Sequence, residues 1–199
     1  CCVMSHIYPA DFASAAQQIV NAGQFLNSQG LAPATSGNYS MRLADGTLAL
    51  TVSGRHKGRL VANDVMQATP DGAALDGKKP SAETALHAQL YKLYPQANAV
   101  LHAHSTSGVI LTRLRKGDTI TLAGYEMLKA FPGITTHETS LSIPVVDNAQ
   151  DMDVLMAAIA PRLTLGLPAY LIRDHGFYVW APTMPQAEYM SEALEHLLK

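Results

Sequence analysis

Strand-like and helical segments alternate along the whole chain, and tight turns join several of the strands. Residues 38–43 and 47–53 alternate apolar and polar side chains around a turn at 44–46, which predicts a β-hairpin. Residues 11–30 and 184–199 instead carry apolar side chains at helical spacing. This mixture of elements with hairpin connections favours an α/β domain with a mixed, largely antiparallel sheet over a doubly wound parallel sheet.

The rest of the chain supplies further elements of both kinds. Strands are predicted at 65–69, 97–103, 169–173 and 177–181, with an edge strand at 119–122, and helical segments at 82–94, 105–114, 124–131 and 151–163. A length of 199 residues suits one well-buried domain, and the composition does not change along the chain. We therefore expect a short N-terminal tail over residues 1–10 and a single domain over residues 11–199.

The composition excludes several classes of function. Hydrophobic residues make up 48% of the chain and the net charge is −2 with scattered basic residues, so neither disorder nor a nucleic-acid surface is expected. No apolar run approaches the roughly 20 residues that cross a membrane, and the N-terminus does not resemble a signal peptide. Cys1 and Cys2 are the only cysteines, so there is no disulfide framework. We expect a cytoplasmic protein without membrane or nucleic-acid partners.

Two histidines at the end of one predicted strand are the sharpest local feature. His102 and His104 are two residues apart, so on a strand they project from the same face and could share a divalent cation. Alternatively, they are two satisfied polar residues near a strand end. His175 lies in a predicted turn between two strands, where an isolated histidine is usually solvated. Three imidazoles with one open position are typical of a catalytic zinc site, whereas a structural site would more often use cysteine.

The remaining histidines are weaker candidates. His137-Glu138 does not begin a metalloprotease helix motif, because residue 141 is leucine. Surface or packing roles are expected for the others, His6, His56, His87 and His196.

Five short motifs in order along the chain resemble those of the class II aldolase family, which includes sugar-phosphate aldolases, an epimerase and the adducin head. They are Thr-Ser-Gly-Asn at 35–38, Thr-Val-Ser-Gly at 51–54, Pro-Ser-Ala-Glu at 80–83, His-Ala-His at 102–104 and His-Gly at 175–176. The resemblance implies a three-layer α/β/α fold and one Zn²⁺ per subunit on His102, His104 and His175. It also implies a homotetramer with sites near subunit interfaces. Three histidines do not by themselves exclude iron, cobalt or manganese.

Within the family, three segments resemble the members that dehydrate a sugar phosphate. They lie at 53–60, 124–130 and 178–180. An aldolase or an epimerase acting on a sugar phosphate is the main alternative. A non-catalytic interaction module like the adducin head would not need three histidines and two glutamates. A zinc hydrolase would leave the sugar-phosphate motifs unexplained.

Two glutamates are candidates for the acid/base group. The resemblance points to Glu126 as the donor of a proton to the departing hydroxyl, unless it is an exposed residue paired with Lys129 or Lys116. Glu83 matches the glutamate that moves protons in the aldolases of the family. It also falls in the first turn of a predicted helix, where a carboxylate stabilises the helix dipole without any catalytic role.

A phosphate group requires a pocket of its own, and small residues in turns with free backbone N–H groups can surround an anion. Ser81 at a helix start adds a hydroxyl and the helix dipole, and Lys57 could add a positive charge. Ordinary turn formation and N-capping are the alternative explanation for these residues. The full set of candidates is Ser36, Gly37, Asn38, Ser53, Gly54, Lys57 and Ser81.

Overall fold

The structure is a computed structural model that describes residues 10–163 and 166–199. The expected N-terminal tail, with Cys1, Cys2 and His6, therefore lies outside the described residues except for Ala10. Ala10 is buried and forms an isolated parallel bridge with Leu43.

Eight strands form one sheet in the order β3-β2-β1-β4-β8-β7-β6-β5. The strands are β1 (Asn38–Arg42), β2 (Leu48–Thr51), β3 (Val65–Ala68), β4 (Ala99–Ala103), β5 (Thr119–Ala123), β6 (Ser140–Val146), β7 (Ala169–Ile172) and β8 (Gly176–Ala181). Neighbouring strands are antiparallel except for β6 and β7, which pair in parallel. The predicted mixed, largely antiparallel sheet is confirmed, and β5 lies at the predicted edge.

Five helices cover the two faces of the sheet. They are α1 (Phe12–Ser28), α2 (Thr84–Leu93), α3 (Thr106–Leu114), α4 (Met152–Leu163) and α5 (Met184–Leu198). Leu101 of β4 packs in one core cluster with residues of α1 and α5, while its neighbour Val100 packs in a second cluster with residues of α2 and α4. This separation follows from the alternation of side chains along a strand, and it confirms the three-layer α/β/α fold. Within the described ranges, no helix is both long enough and apolar enough to span a bilayer.

Short polar side chains fix where several helices begin. Asp11 accepts a hydrogen bond of 2.7 Å from the backbone N–H of Ser14 at the start of α1, as its position before the apolar stretch predicts. Ser105 caps α3 in the same way and lies directly after His104, so it fixes the point at which the chain leaves β4.

Strand β6 is not predicted from the sequence. Pro144 lies within this strand and has no N–H to donate to a ladder, which normally argues against an internal strand. In the structure, β6 pairs with β5 along 140–144 but meets β7 only at Val145 and Val146. Pro144 is therefore accommodated because the pairing with β7 begins just after it.

Candidate active site

Three histidines from distant parts of the chain meet at one end of the sheet. His102 lies on β4, His104 follows the end of that strand, and His175 lies in the turn between β7 and β8. Their ring centroids are 4.8 to 4.9 Å apart in every pairing. One nitrogen from each ring lies within 4.8 Å of the others, which is compatible with a shared metal ion.

The turn that carries His175 approaches β4 closely. A Cβ atom on Gly176 would lie only 2.2 Å from the carbonyl oxygen of Ala103, so a side chain there would push the two strands apart. Asp174 adopts a left-handed backbone with φ of 59°, and its N–H donates to the Thr112 hydroxyl at 3.1 Å. The turn is thus fixed from both sides, which holds His175 against β4.

The hydrogen bonds of two histidines determine which ring nitrogens carry lone pairs. His102 Nδ1 lies 3.0 Å from the carbonyl oxygen of Phe177, which can only accept, so Nδ1 carries the proton. His175 Nδ1 lies 3.3 Å from Asn148 Oδ1, which likewise can only accept, so this Nδ1 also carries the proton. The Nε2 atoms of His102 and His175 then lie 3.2 Å apart, each with its lone pair directed toward the other. A shared cation would stabilise this arrangement. Two nitrogens bound to one tetrahedral zinc lie about 3.4 Å apart, so this donor set fits a divalent metal.

Burial keeps two of these histidines neutral at physiological pH. His102 is fully buried, which lowers its pKa to about 3 although the nearby carboxylate of Glu83 opposes the shift. Burial also lowers the pKa of His104 to about 4, with a further contribution from His175. Only a neutral imidazole can donate its lone pair to a metal, so both rings are in the required state at pH 7.

Glu83 places its carboxylate beside the histidines. Its Oε1 accepts a hydrogen bond from the Tyr178 hydroxyl at 2.9 Å, and its Oε2 accepts one from Asn38 Nδ2 at 3.2 Å. The carboxylate oxygens lie 3.5 Å from Nε2 of His102 and 3.8 Å from Nε2 of His175. Glu83 occupies the N-cap position of α2, but its side chain makes no capping hydrogen bond. The carboxylate is thus directed to the site and not to the end of the helix.

The pKa of Glu83 reflects opposing effects. Burial alone would raise it, but attraction to the imidazoles of His102 and His175 and the hydrogen bond from Tyr178 outweigh burial and lower the pKa. The group is therefore an ionised carboxylate with a hydrogen-bond donor on each oxygen.

The 35–38 loop runs directly beneath the histidines. Ser36 donates its hydroxyl hydrogen to the carbonyl oxygen of Pro33 at 2.5 Å, which closes a turn. Gly37 has φ of 87°, and a Cβ atom there would lie 3.0 Å from the carbonyl oxygen of His102, so glycine is required on both grounds. Asn38 was a phosphate candidate, and its amide instead contacts Glu83 and His87.

Lys57 joins two of the candidate phosphate loops. Its side chain is buried, and Nζ donates to the carbonyl oxygens of Thr35 at 3.0 Å and Arg55 at 2.7 Å. Burial lowers the pKa of Lys57 to about 8, with Asp64 opposing. Lys57 therefore fixes the 35–38 loop relative to the 53–55 loop, and is not a free ammonium group in solvent.

The other phosphate candidates lie in turns around the same region. The backbone N–H of Ser53 donates to the carbonyl oxygen of Lys79 at 3.1 Å, and Gly54 is exposed next to it. The hydroxyl of Ser81 accepts a hydrogen bond of 3.3 Å from the N–H of Glu83. Ser81 thus stabilises the backbone of the residue whose carboxylate enters the site.

Glu126 is not joined to the histidine cluster by any hydrogen bond or ion pair among the described residues. It opens a short 3-10 turn, Glu126–Ala130, and its side chain is 69% exposed. It pairs with Lys129 and lies 3.6 Å from Nδ1 of His137, and the Lys129 hydrogen bond is the main cause that lowers its pKa. In the structure, Glu126 therefore forms an exposed ion pair with Lys129.

A family model supports this description. The model of the class II aldolase and adducin N-terminal domain matches residues 17–199, which include all five quoted motifs and every candidate site residue. The chain belongs to this family.

Relatives within the class II aldolase family extend over nearly the full chain. Methylthioribulose-1-phosphate dehydratase of Methylococcus capsulatus (strain Bath) is 47% identical over 193 residues, covering 96% of this chain and 94% of the relative. The enzyme of that name from Gluconobacter oxydans (strain 621H) is 50% identical over 188 residues, covering 94% and 90%. The crystal structure of L-fuculose-1-phosphate aldolase from Thermus thermophilus has a TM-score of 0.75 at 24% identity, covering 92% of this chain and 90% of the other. This last likeness concerns the fold.

Several residues that surround the site of this class II aldolase domain are not predicted from the sequence. Asn148, Ser40 and Tyr91 carry no motif, because their contacts depend on elements that lie far apart in the chain. His87 could have been found, because it follows Glu83 by four residues and therefore lies on the same side of helix α2.

Proposed function

We propose that this chain is a methylthioribulose-1-phosphate dehydratase. It removes water from 5-methylthioribulose 1-phosphate to give 2,3-diketo-5-methylthiopentyl 1-phosphate, a step of methionine salvage. The relatives of that name, at 47% and 50% identity over almost the whole chain, support the assignment. The observation that carries it is the cluster of three imidazoles beside an ionised glutamate, which would supply both a metal site and a base.

The proposed metal is Zn²⁺, one ion per subunit, held by His102, His104 and His175. Their nitrogens lie within 4.8 Å of one another, and two of the rings are kept neutral by burial. Bound zinc would supply Lewis-acid polarisation of the substrate carbonyl. Nitrogen donors also suit iron, cobalt and manganese, so metal analysis of the purified protein tests this choice.

Glu83 is suited to take the proton at C3 of the substrate. The substrate has a ketone at C2 and hydroxyls at C3 and C4, and loss of the C4 hydroxyl needs the C3 proton to leave. The carboxylate of Glu83 is ionised and held by Tyr178 and Asn38, so it does not have to reorganise before it accepts a proton. When the C3–H electron pair forms the C3–C4 double bond, the C4–O bond breaks. The resulting enol then loses the proton of its C3 hydroxyl and gains a proton at C4, which gives the diketone.

Glu126 is proposed as the acid that gives the departing C4 hydroxyl its proton, so that it leaves as water. In its own subunit Glu126 is exposed, and its pairing with Lys129 lowers its pKa. A neighbouring subunit would therefore have to bring it to the histidines and bury it there, because burial raises the pKa of a carboxyl group and lets it carry the proton. A homotetramer with sites near subunit interfaces would provide this. Glu83 would serve both steps if Glu126 stays remote in the assembly.

The phosphate group is proposed to bind between the 35–38 and 53–54 loops. Gly37 and Gly54 would offer backbone N–H groups and Ser53 its hydroxyl, while Ser36 and Asn38 hold the shape of the 35–38 loop. Lys57 holds the two loops together and adds positive charge, and Ser81 lies beside the start of α2.

The deciding experiment incubates the zinc-loaded protein with 5-methylthioribulose 1-phosphate and follows the products by chromatography, which separates epimers, coupled to mass spectrometry. The expected result is a product lighter by one water that keeps both the phosphate and the methylthio group. Cleavage into two smaller fragments would identify an aldolase instead. An isomer of unchanged mass would identify an epimerase, and an unchanged substrate would contradict the proposal.

A further inference from the structure

His87 is a fully buried polar residue outside the three-histidine cluster. It lies on α2, one turn after Glu83, and its side chain is 1% exposed. Both ring nitrogens are hydrogen bonded: Nε2 to Asn38 Oδ1, and Nδ1 to the Ser40 hydroxyl at 2.6 Å. The Ser40 hydroxyl in turn lies 2.8 Å from the hydroxyl of Tyr91. A continuous chain of hydrogen bonds therefore runs through the core and ends on the carboxylate of Glu83.

The direction of this chain is fixed by its end at Glu83. An ionised carboxylate can only accept, so the amide nitrogen of Asn38 must face Glu83 Oε2, at 3.2 Å. The amide oxygen then faces His87 Nε2, which must carry the ring proton. His87 Nδ1 is left as an acceptor, which obliges the Ser40 hydroxyl to donate to it and to accept from Tyr91.

Only a neutral His87 has one donor and one acceptor nitrogen, as this order requires. Burial lowers the pKa of His87 to about 4, although Glu83 opposes the shift, so the ring is neutral at pH 7. The groups that face this segment from other elements are Tyr178, whose ring centroid lies 5.6 Å from that of His87, and Arg42, whose Cζ lies 4.9 Å from the centroid of the Tyr91 ring. Among the described residues, the acceptor that His87 Nε2 reaches is Asn38 Oδ1.

We propose that His87 is a positioning residue for Glu83: as its Nε2–H tautomer it holds the Asn38 amide with its nitrogen toward the carboxylate. Without the His87 donor, the Asn38 amide is free to rotate, and Glu83 Oε2 loses a fixed hydrogen bond. The inference rests on the proposed function, since it concerns the orientation of the proposed base. A displacement of about 1 Å at a reacting group can cost on the order of 100-fold in rate, so the effect is expected on turnover.

Two substitutions separate positioning from a merely structural role. In His87→Gln, the side-chain amide nitrogen can reach the place of Nε2 and donate to Asn38. In His87→Asn, the shorter amide reaches only the place of Nδ1, next to Ser40. We expect His87→Asn to lower kcat by about 10-fold or more with KM changed less than about 2-fold, and His87→Gln to recover most of kcat. Equal kcat losses in the two variants, or a wild-type kcat in His87→Asn, would overturn the proposal.

A matched control accounts for lost stability. Ser191 is fully buried on α5, where its hydroxyl donates to the carbonyl oxygen of Ala187 at 2.7 Å, away from this chain of hydrogen bonds. Ser191→Ala is expected to lower the melting temperature while kcat stays at the wild-type value. If Ser191→Ala reduced kcat as much as His87→Asn, turnover would simply follow stability, and the positioning role would be wrong.

A spectroscopic measurement distinguishes failure of this inference from failure of the proposed function. ¹⁵N NMR of histidine-labelled protein, with His87→Gln to assign the signal, reports the tautomer without any substrate. The expected signal is a neutral ring protonated at Nε2 from pH 8 down to about pH 5. A proton on Nδ1, or a doubly protonated ring at pH 7, would overturn the inference even if the protein dehydrates its substrate. Conversely, wild-type protein that leaves the sugar phosphate unchanged but shows this tautomer would contradict the proposed function alone.

Discussion

His102 Nε2 and His175 Nε2 lie 3.2 Å apart, although 73 positions separate the two residues in the chain. Nδ1 of His102 donates its hydrogen to the carbonyl oxygen of Phe177, and Nδ1 of His175 donates its hydrogen to Oδ1 of Asn148. Two lone pairs are therefore directed at the same point, beside a carboxylate that is 3.5 Å from the first nitrogen. Such a point suits a cation, and four predictions test this and the chemistry around it.

Replacement of His104 by alanine should abolish both zinc binding and activity. The change leaves two imidazoles for the ion, and a catalytic zinc site requires three protein ligands. Metal content per chain, measured after dialysis, should fall from about one to near zero, and added zinc should no longer raise the melting temperature. His196→Ala, which removes an exposed histidine on α5, is the control and should keep both properties. Full activity of metal-free His104→Ala would refute the mechanism.

Replacement of Glu126 by glutamine should leave zinc content unchanged and reduce turnover by on the order of 100-fold or more, because an amide cannot give a proton to the departing hydroxyl. The measurement is kcat together with metal analysis. Glu138→Gln changes another exposed glutamate near His137 and should be neutral. Normal turnover in Glu126→Gln would assign both proton transfers to Glu83, and Glu83→Gln should then be the inactive variant.

Replacement of Lys57 by methionine should weaken phosphate binding and destabilise the domain. The carbonyl oxygens of Thr35 and Arg55 lose their donor, which costs on the order of 1 to 3 kcal/mol in unfolding free energy. The two loops are then no longer held together, so KM should rise more than kcat falls. Urea unfolding and steady-state kinetics provide the two values, with Lys92→Met at an exposed position as the control. An unchanged KM would place the phosphate elsewhere.

The metal-free protein should lose stability as the pH falls from about 6.5 to about 4. Burial lowers the pKa of His87 and of His104 to about 4 and that of His102 to about 3, so in this window the unfolded chain binds protons that the folded chain does not. Each such histidine lowers the free energy of unfolding by about 1.4 kcal/mol for every pH unit of this fall. The pKa of Glu83 is also lowered, so its stabilising contribution is lost in the same direction, and this loss begins at the lower end of the window, as the pH falls through the ordinary pKa of a glutamate.

Urea unfolding at several pH values checks this prediction. His87→Gln should reduce the slope of unfolding free energy against pH by about one histidine's share. A flat profile between pH 6.5 and 5 would show that these rings titrate normally in the folded state.

Local patterns in the sequence were enough to predict most of the elements and to pair two of the three candidate metal ligands. The helix start at Asp11, the hairpin of β1 and β2, and the shared face of His102 and His104 depend on residues a few positions apart. Covalent geometry sets those relations, because side chains repeat every two residues on a strand and about every 3.6 on a helix. Strand β6 was missed because Pro144 argues locally against a strand, and only its neighbours β5 and β7 supply the pairing.

The tertiary structure alone decided how distant residues combine. His175 reaches His102 because β8 pairs with β4 in a register that sets His102 against Tyr178, a fact that no local pattern contains. Glu83 enters the site instead of capping its helix because Tyr178 and Asn38, on other strands, offer it donors. Glu126 has the same local sequence whether it is exposed or catalytic, and the fold of the chain leaves it exposed. The sequence by itself thus determined which chemical groups are present, and the sheet order and register determined which of them meet, because contacts between distant segments depend on long-range packing.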